Sequence, residues 1–266
     1  MKITKLFSFL FAATATMFIS TSCGDSVEKA SDAKEDFYIF VLAGDEQMAG
    51  RAEESMEDFS YDSHIFVYDK SGNWVPAKQP LYKEFDSDAK QGQGLWFARG
   101  FVMLNKKLKI GLVPCIVPNS LIADWQPGKK NFDDMVERAK KASSDGVLKG
   151  ILWFHGEHET STSAYKESFP KMLKGVREKI GKNVPFLTTQ LAMNPLSAAQ
   201  RAINTYLMDY ALSNADKYFY CISNQGLSVG SDGKHFNLNN VMVLDDRFFS
   251  GYSSMGGITP PEPGNE

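Results

Sequence analysis

Apolar runs of strand length alternate with helical patterns along this chain, and this alternation limits the possible folds more than any other feature. Several of the runs are apolar without interruption, as at residues 151–154, which is typical of strands covered on both faces. Strands that alternate with helices form a mostly parallel sheet with helices on both sides. The sequence therefore predicts an α/β fold, a single three-layer α/β/α domain with a mostly parallel central sheet over residues 37–254.

The strand and helix patterns also predict where a site should lie. The predicted strands are 37–43, 64–68, 108–117, 148–154, 184–191 and 218–223. Helical spacing of apolar residues predicts helices around residues 132–139, 165–180 and 196–210, and a last helix after residue 237. Ligands of such sheets bind beyond the carboxyl ends of the strands. We therefore expect the site in segments 44–51, 118–125, 155–159 and 232–237.

Composition excludes several classes of protein. Apolar residues make up 43% and charged residues 23% of the 266 positions, which is the balance of a globular protein rather than a disordered one. The net charge is −3, and the chain has no cluster of lysines and arginines. Because binding to a phosphate backbone needs clustered positive charge, we expect no nucleic-acid partner.

Residues 1–22 resemble a bacterial lipoprotein signal peptide. Two lysines precede an apolar stretch, which small residues and then Cys23 follow. The stretch is too short and too rich in serine and threonine for a good membrane-spanning helix. We expect secretion across the inner membrane, lipidation of Cys23, and a lipid anchor in the cell envelope or outer membrane as the only membrane contact. Soluble secretion with an incidental cysteine is the alternative. Residues 23–36 are predicted to be a polar tether and residues 255–266 a disordered tail.

Five segments resemble, in order, the sequence blocks of the SGNH-hydrolase superfamily, and within it the sialate O-acetylesterase-like carbohydrate esterases. These segments are 42–51, 74–99, 110–125, 150–157 and 232–237. The resemblance implies a flavodoxin-like esterase domain that acts on acetylated carbohydrate of the sialic acid type, and we expect no cofactor and no metal ion. It also implies a triad in which a serine attacks the ester, a histidine takes its proton and an aspartate orients the histidine.

The resemblance assigns roles to individual residues, and three positions depart from the family pattern. Asp232 and His235 correspond to the base pair of the triad, and Gly94 corresponds to the glycine that stabilises the oxyanion. Glu46 stands at the position of the nucleophilic serine. His155 replaces a glutamine whose side chain helps to hold the oxyanion in the family, so the resemblance makes His155 a candidate for contact with the oxyanion or the substrate. Residues 118–119 replace a pair of glycines.

The first interpretation of these departures is a degenerate esterase that binds carbohydrate. A carboxylate at position 46 cannot form the usual acyl-enzyme ester, and we predict that it raises the pKa of His235 by stabilising the imidazolium. Arg51, Asn119 and Glu157 are then candidates for holding sugar hydroxyls, as is Trp125. The alternative roles are an internal salt bridge for Arg51, a packed lid for Trp125 and a structural partner to a strand end for Glu157.

Two further interpretations remain open. The chain could be an active hydrolase in which Glu46 and His235, or a recruited serine such as Ser120, perform altered chemistry. A metal-dependent hydrolase could use donors from residues 155–159, although neighbouring residues of an extended segment point in opposite directions and an ordinary polar loop explains them as well. We expect His64 to be a core or edge histidine, and Cys115 and Cys221 to be separately buried thiols, with a single disulfide as the alternative.

Overall fold

A computed structural model describes residues 34–52 and 62–257 of the chain. Its centre is a seven-stranded sheet with the strand order β3-β2-β4-β1-β5-β6-β7. The pair β2 and β3 is antiparallel, and all other neighbouring strands are parallel. The strands are β1 (Phe37–Gly44), β2 (Ile65–Tyr68), β3 (Trp74–Pro76), β4 (Lys109–Ile116), β5 (Val147–Phe154), β6 (Phe186–Thr189) and β7 (Phe219–Ile222).

The described residues contain six α-helices, five of which cover the sheet in two layers, and the predicted three-layer α/β/α fold is confirmed. The helices are α1 (Glu46–Ala49), α2 (Leu95–Leu104), α3 (Lys130–Ala142), α4 (Thr162–Lys179), α5 (Ala198–Leu212) and α6 (Leu238–Tyr252). Helices α2 and α6 pack together on one face, whereas α3, α4 and α5 pack in sequence on the other. A 3₁₀ helix (Ile122–Trp125) lies against α3 and α4.

The centre of the sheet holds most of the core. Ile151, Leu152, Trp153 and Phe154 of β5 are fully buried, as their uninterrupted apolar run predicts. The ring of Trp153 meets the edge of Trp125 at a centroid distance of 4.9 Å. A buried aromatic side chain of this kind stabilises the fold by roughly 1.5–3 kcal/mol. The central strands β1 and β5 therefore provide a rigid base for the loops at their carboxyl ends.

Gly44 lets the chain turn sharply at the end of β1. Its φ is +135°, and a Cβ atom there would lie 1.9 Å from the carbonyl oxygen of Phe154. The next residue, Asp45, donates its backbone N–H to that same oxygen at 2.9 Å. Any side chain at position 44 would force the ends of β1 and β5 apart. The close approach of these two strands therefore fixes the positions of residues 45 and 46.

The predicted strands and helices agree closely with the structure, but α1, α2 and the 3₁₀ helix were not predicted. Three further differences concern single segments. Strand β3 was not predicted, because three residues that pair only with β2 leave no pattern of their own. His64 precedes β2 instead of lying within it, and its Nδ1 is 3.0 Å from Asp62 Oδ1. Residues 255–257, predicted to begin a disordered tail, belong to a π-helical turn after α6.

The remaining predictions on the chain's organisation concern cysteines, membrane spans and the termini. Cys115 and Cys221 are both buried and unpaired, which confirms the prediction of separate thiols. Among the residues that the structure describes, no helix is both long enough and apolar enough to cross a membrane. The predicted signal peptide, the lipidation site Cys23 and residues 258–266 lie outside the described residues. Asp36, assigned to the tether, already accepts a hydrogen bond from the backbone of Lys109.

Candidate active site

Loops that follow β1, β4 and β5 meet the loop before α6 at one edge of the sheet. Asp45 begins α1, and its Oδ1 accepts the backbone N–H groups of Glu46 at 2.8 Å and Asn119 at 2.7 Å. The backbone of Gln47 donates to Glu157 Oε1 at 3.1 Å, and its side-chain amide donates to the carbonyl of Lys234. These bonds join all four segments in which the sequence predicted the site.

Asp232 and His235 form the carboxylate–imidazole pair that the sequence predicted. His235 Nδ1 lies 2.6 Å from Asp232 Oδ2. The backbone N–H groups of Lys234 and His235 also donate to Asp232 Oδ1, at 2.9 and 3.0 Å. Burial raises the pKa of Asp232, but these hydrogen bonds outweigh it and lower the pKa to about 2. A tight turn thus holds an ionised carboxylate against one nitrogen of the imidazole.

Glu46 occupies the other side of the same imidazole. Its Oε1 lies 3.5 Å from His235 Nε2. The contact with His235 is the main cause that lowers the pKa of Glu46. Burial lowers the pKa of His235, but Glu46 and Asp232 together outweigh burial and raise it above its ordinary value. The predicted direction of the His235 shift is therefore confirmed.

Arg51 serves as an internal salt bridge, the alternative role predicted for it. Its guanidinium Nη2 lies 2.7 Å from Asp86 Oδ2 and 3.7 Å from Glu46 Oε2. Its Nη1 donates to the carbonyl of Gly50 at 2.8 Å. With these contacts Arg51 holds the second oxygen of Glu46 and ties the end of α1 to the loop that contains Asp86.

His158 belongs to the site, although the sequence predicted it only as a possible metal ligand. Its Nε2 lies 3.4 Å from Glu46 Oε1 and 3.7 Å from Asp45 Oδ2. The only signal in the sequence was its place in the polar segment after β5. Glu46 therefore lies between two imidazoles.

Two carboxyl groups are buried behind Glu46. Asp45 is fully buried, and burial raises its pKa to about 7 despite hydrogen bonds from Glu46 and Asn119. Glu157 is 4% exposed, and burial and the nearby Asp45 raise its pKa well above the ordinary value. Because Glu157 accepts the N–H of Gln47, the structure gives it the role of a structural partner at the strand end.

Asn119 is exposed at the rim of the site, whereas Trp125 and Ser120 lie in the core. Asn119 has a φ of 60°, and its side chain is accessible, so it remains a candidate for contact with a ligand. Trp125 is fully buried, which makes it a packed residue and not a sugar platform. Trp125 Nε1 donates to Ser120 Oγ at 3.0 Å, and this buried hydroxyl is not placed to act as a recruited nucleophile.

The prediction that Gly94 donates to an oxyanion is wrong for this structure. Its backbone N–H lies 2.9 Å from both carboxylate oxygens of Asp245, a fully buried residue of α6. A donor already committed to a buried carboxylate cannot also stabilise an oxyanion. Asp245 was missed by sequence reasoning because it lies 151 positions from Gly94.

The prediction that His155 contacts substrate is also wrong for this structure. The residue is fully buried, and its ring stacks on Trp153 at a centroid distance of 5.0 Å. Burial lowers the pKa of His155 to about 3, so the imidazole is neutral over the physiological range. After β5 the chain turns at residues 157–158, and it places His155 in the core and His158 next to Glu46.

The donors of residues 155–159 do not converge on a metal ion. Glu157 bonds to Gln47 and Glu159 bonds to the backbone of Ile122, while His155 lies among aromatic rings. Within residues 34–52 and 62–257, no group of three or more histidine, cysteine, aspartate and glutamate side chains is arranged to hold a metal ion.

A cleft of about 530 Å³ opens beside the site. Asp232, His235, Arg51 and Lys90 are among the residues that line it. Its volume is within the range of small-molecule sites. A ligand in this cleft would therefore be next to the imidazole of His235 and the rim of the loop before α6.

A family of known proteins matches most of this chain. Residues 36–254 match the family model described as carbohydrate esterase, sialic acid-specific acetylesterase. A protein of Arabidopsis thaliana named "Probable carbohydrate esterase" is 25% identical over 233 residues, which cover 77% of this chain and 86% of that protein.

Solved structures share the fold. One of a protein from Arabidopsis thaliana gives a TM-score of 0.74 at 23% identity, covering 82% of this chain and 98% of that chain. The structure of NanS gives a TM-score of 0.68 at 14% identity, covering 84% of this chain and 98% of that chain.

Proposed function

The chain belongs to the carbohydrate esterase family of sialic acid-specific acetylesterases, and from this premise we propose that it binds O-acetylated carbohydrate without transferring the acetyl group to a serine. The single observation that carries the proposal is the position of Glu46 Oε1, 3.5 Å from His235 Nε2. That nitrogen is the one that must take the proton of an attacking hydroxyl in a triad esterase.

The polarity of the contact between position 46 and His235 supports this proposal. In a serine triad the hydroxyl donates to an unprotonated Nε2, whereas an ionised carboxylate has no proton to donate. His235 Nδ1 already faces the Asp232 carboxylate at 2.6 Å. Carboxylates at both nitrogens favour the imidazolium form of His235, which has no free electron pair and cannot act as a base. Glu46 therefore prevents serine-type chemistry in two ways. It provides no hydroxyl to attack the ester, and its negative charge stabilises the protonated form of His235.

The proposal is tested by comparing p-nitrophenyl acetate and O-acetylated sialic acid hydrolysis in wild type and two variants. We expect wild type to match the buffer rate and Glu46→Ser to exceed it at least about 10-fold, because general-base catalysis contributes roughly 10²–10⁴-fold. Glu46→Ala is the matched control, since it removes the same charge without adding a hydroxyl, and it should remain inert. Wild type should still bind O-acetylated sialic acid in a calorimetric titration.

Wild-type labelling by a fluorophosphonate probe on any serine would overturn the proposal, as would turnover by wild type that Glu46→Ser does not increase. Absence of binding to O-acetylated sialic acid would show that sugars of this class are not the ligand. These outcomes are independent, so loss of chemistry and loss of binding are judged separately.

A second candidate function is hydrolysis with Glu46 as nucleophile, and the lowered pKa of Glu46 favours it, since the group is ionised and partly exposed. A Glu46 oxygen would bond to the acyl carbon, and the sugar oxygen would leave with a proton from the His235 imidazolium. Water would then cleave the mixed anhydride to acetate and regenerate the carboxylate. Wild-type turnover that Glu46→Gln abolishes would establish this function in place of the first.

We further propose that Cys23 is lipidated and anchors the domain to the cell envelope. The order of basic residues, apolar stretch, small residues and Cys23 supports it. Expressed in a bacterium fed an alkyne-tagged palmitate, the full chain should incorporate label and partition with membranes. Cys23→Ser should lose the label, and an unlabelled wild-type chain in the soluble fraction would refute lipidation.

A further inference from the structure

Five titratable side chains form a continuous series through the site. Asp232 Oδ2 lies 2.6 Å from His235 Nδ1, and His235 Nε2 lies 3.5 Å from Glu46 Oε1. Glu46 Oε1 lies 3.4 Å from His158 Nε2, and His158 Nε2 lies 3.7 Å from Asp45 Oδ2. Carboxyl and imidazole groups alternate along this series. Its central member, Glu46, is the residue on which the proposed function rests.

The two imidazoles share one oxygen of Glu46 almost equally. Both contacts are longer than the usual 2.9 Å of an N–H···O hydrogen bond, so neither is fully formed. His158 Nε2 and His235 Nε2 are both buried, and neither has a hydrogen-bond partner in the described part of the chain. The Glu46 carboxylate is therefore held between two donors, and removing either one would let it approach the other.

The other charged groups around Glu46 do not replace His158 in this role. Arg51 reaches the opposite oxygen, Oε2, at 3.7 Å and is committed to Asp86 at 2.7 Å. Asp45 and Glu157 are carboxyl groups that repel Glu46 when ionised. Lys234 contributes its carbonyl to Gln47. His158 is thus the group that competes with His235 for Glu46 Oε1.

We propose that His158 is a positioning residue, which shares the Glu46 carboxylate with His235 and thereby limits how tightly Glu46 and His235 pair. This inference rests on the proposed function, in which the pairing of Glu46 with His235 suppresses base catalysis. His158 would then set the strength of that suppression without touching the substrate's reacting atoms.

The test is an NMR titration of the imidazole proton resonances in the full chain. We expect His158→Phe to raise the titration midpoint of His235 by about half a pH unit or more, because Glu46 can then close on His235 and a competing imidazole is gone. His158→Gln keeps an N–H donor and should give a smaller rise. His64→Phe is the matched control, since His64 is similarly exposed and pairs with Asp62 outside the site.

The same substitution is then repeated with Glu46→Gln, which removes the shared charge. If His158 acts through Glu46, adding His158→Phe to Glu46→Gln should shift His235 by less than half of its effect in wild type. A His235 midpoint in His158→Phe equal to that of the His64→Phe control would overturn the proposal, as would a full-sized shift in the double variant. If His158→Phe does not fold, His158→Ala gives the same comparison. These readouts do not depend on esterase activity, so their failure is distinguishable from failure of the proposed function.

Discussion

Replacing Asp245 with alanine is expected to lower the free energy of unfolding by about 3–5 kcal/mol, because it leaves a set of buried donors without an acceptor. The carboxylate accepts the backbone N–H of Gly94 on both oxygens at 2.9 Å and that of Trp96 at 3.0 Å. With its amide nitrogen facing Asp245, Gln93 donates a further bond at 2.8 Å. Asp245 of α6, which is distant in sequence but packed against α2, therefore caps the start of α2.

Urea unfolding followed by circular dichroism measures this loss. Asp246→Ala is the matched control, since Asp246 is the next residue of α6 and is exposed. The control should change the free energy of unfolding by no more than about 0.5 kcal/mol. A loss below about 1 kcal/mol in Asp245→Ala would show that water or a neighbouring group satisfies the donors of α2 instead.

The fold could be predicted from the sequence because its central strands carry a strong local signal. Residues 151–154 are apolar at every position, which is typical of a strand covered on both faces, and all four are fully buried. Helical spacing likewise predicted α3, α4 and α5 to within a few residues. Strand β3 has no such signal, since its pairing with β2 alone defines it.

The site was predictable where a single turn contains its members, and not where distant segments meet. Asp232 and His235 are three positions apart, so their spacing already implies their 2.6 Å contact. His158 and Asp245 contact residues that are more than a hundred positions away in the sequence, and no local sequence pattern indicates such contacts. Gly94 and His155 show the reverse error, because a resemblance supplied roles that the surrounding packing does not permit.

Buried carboxyl groups, with the largest pKa shifts at Asp45, Glu157 and Asp245, give the stability of this fold an unusual dependence on pH. Burial raises the pKa of Asp245 to about 7, that of Asp45 to about 7, and that of Glu157 well above its ordinary value. In the unfolded chain these groups titrate near 4. Between the unfolded and the folded pKa the folded protein binds more protons, so raising the pH favours unfolding. His155 has a pKa of about 3 in the folded protein, so its effect on stability is opposite. Raising the pH favours folding through His155, but only up to the unfolded pKa near 6.5.

Above pH 6.5 the buried acids therefore dominate, and His235 adds to them, because its pKa is also raised in the folded state. We expect the free energy of unfolding to fall from pH 6.5 to pH 8, by about 1.4 kcal/mol per pH unit for each group that stays protonated only in the folded protein. Glu157→Gln should remove the share of Glu157 while its side-chain oxygen still accepts the N–H of Gln47. The free energy of unfolding of this variant should therefore increase relative to that of wild type as the pH rises.

Glu178→Gln separates burial from the mere loss of a carboxylate, because Glu178 is 59% exposed on α4. Between pH 6.5 and pH 8 its free energy of unfolding should change by the same amount as that of wild type, whereas the free energy of unfolding of Glu157→Gln should change less. Equal pH slopes in wild type and Glu157→Gln would mean that Glu157 is ionised in the folded state across this range.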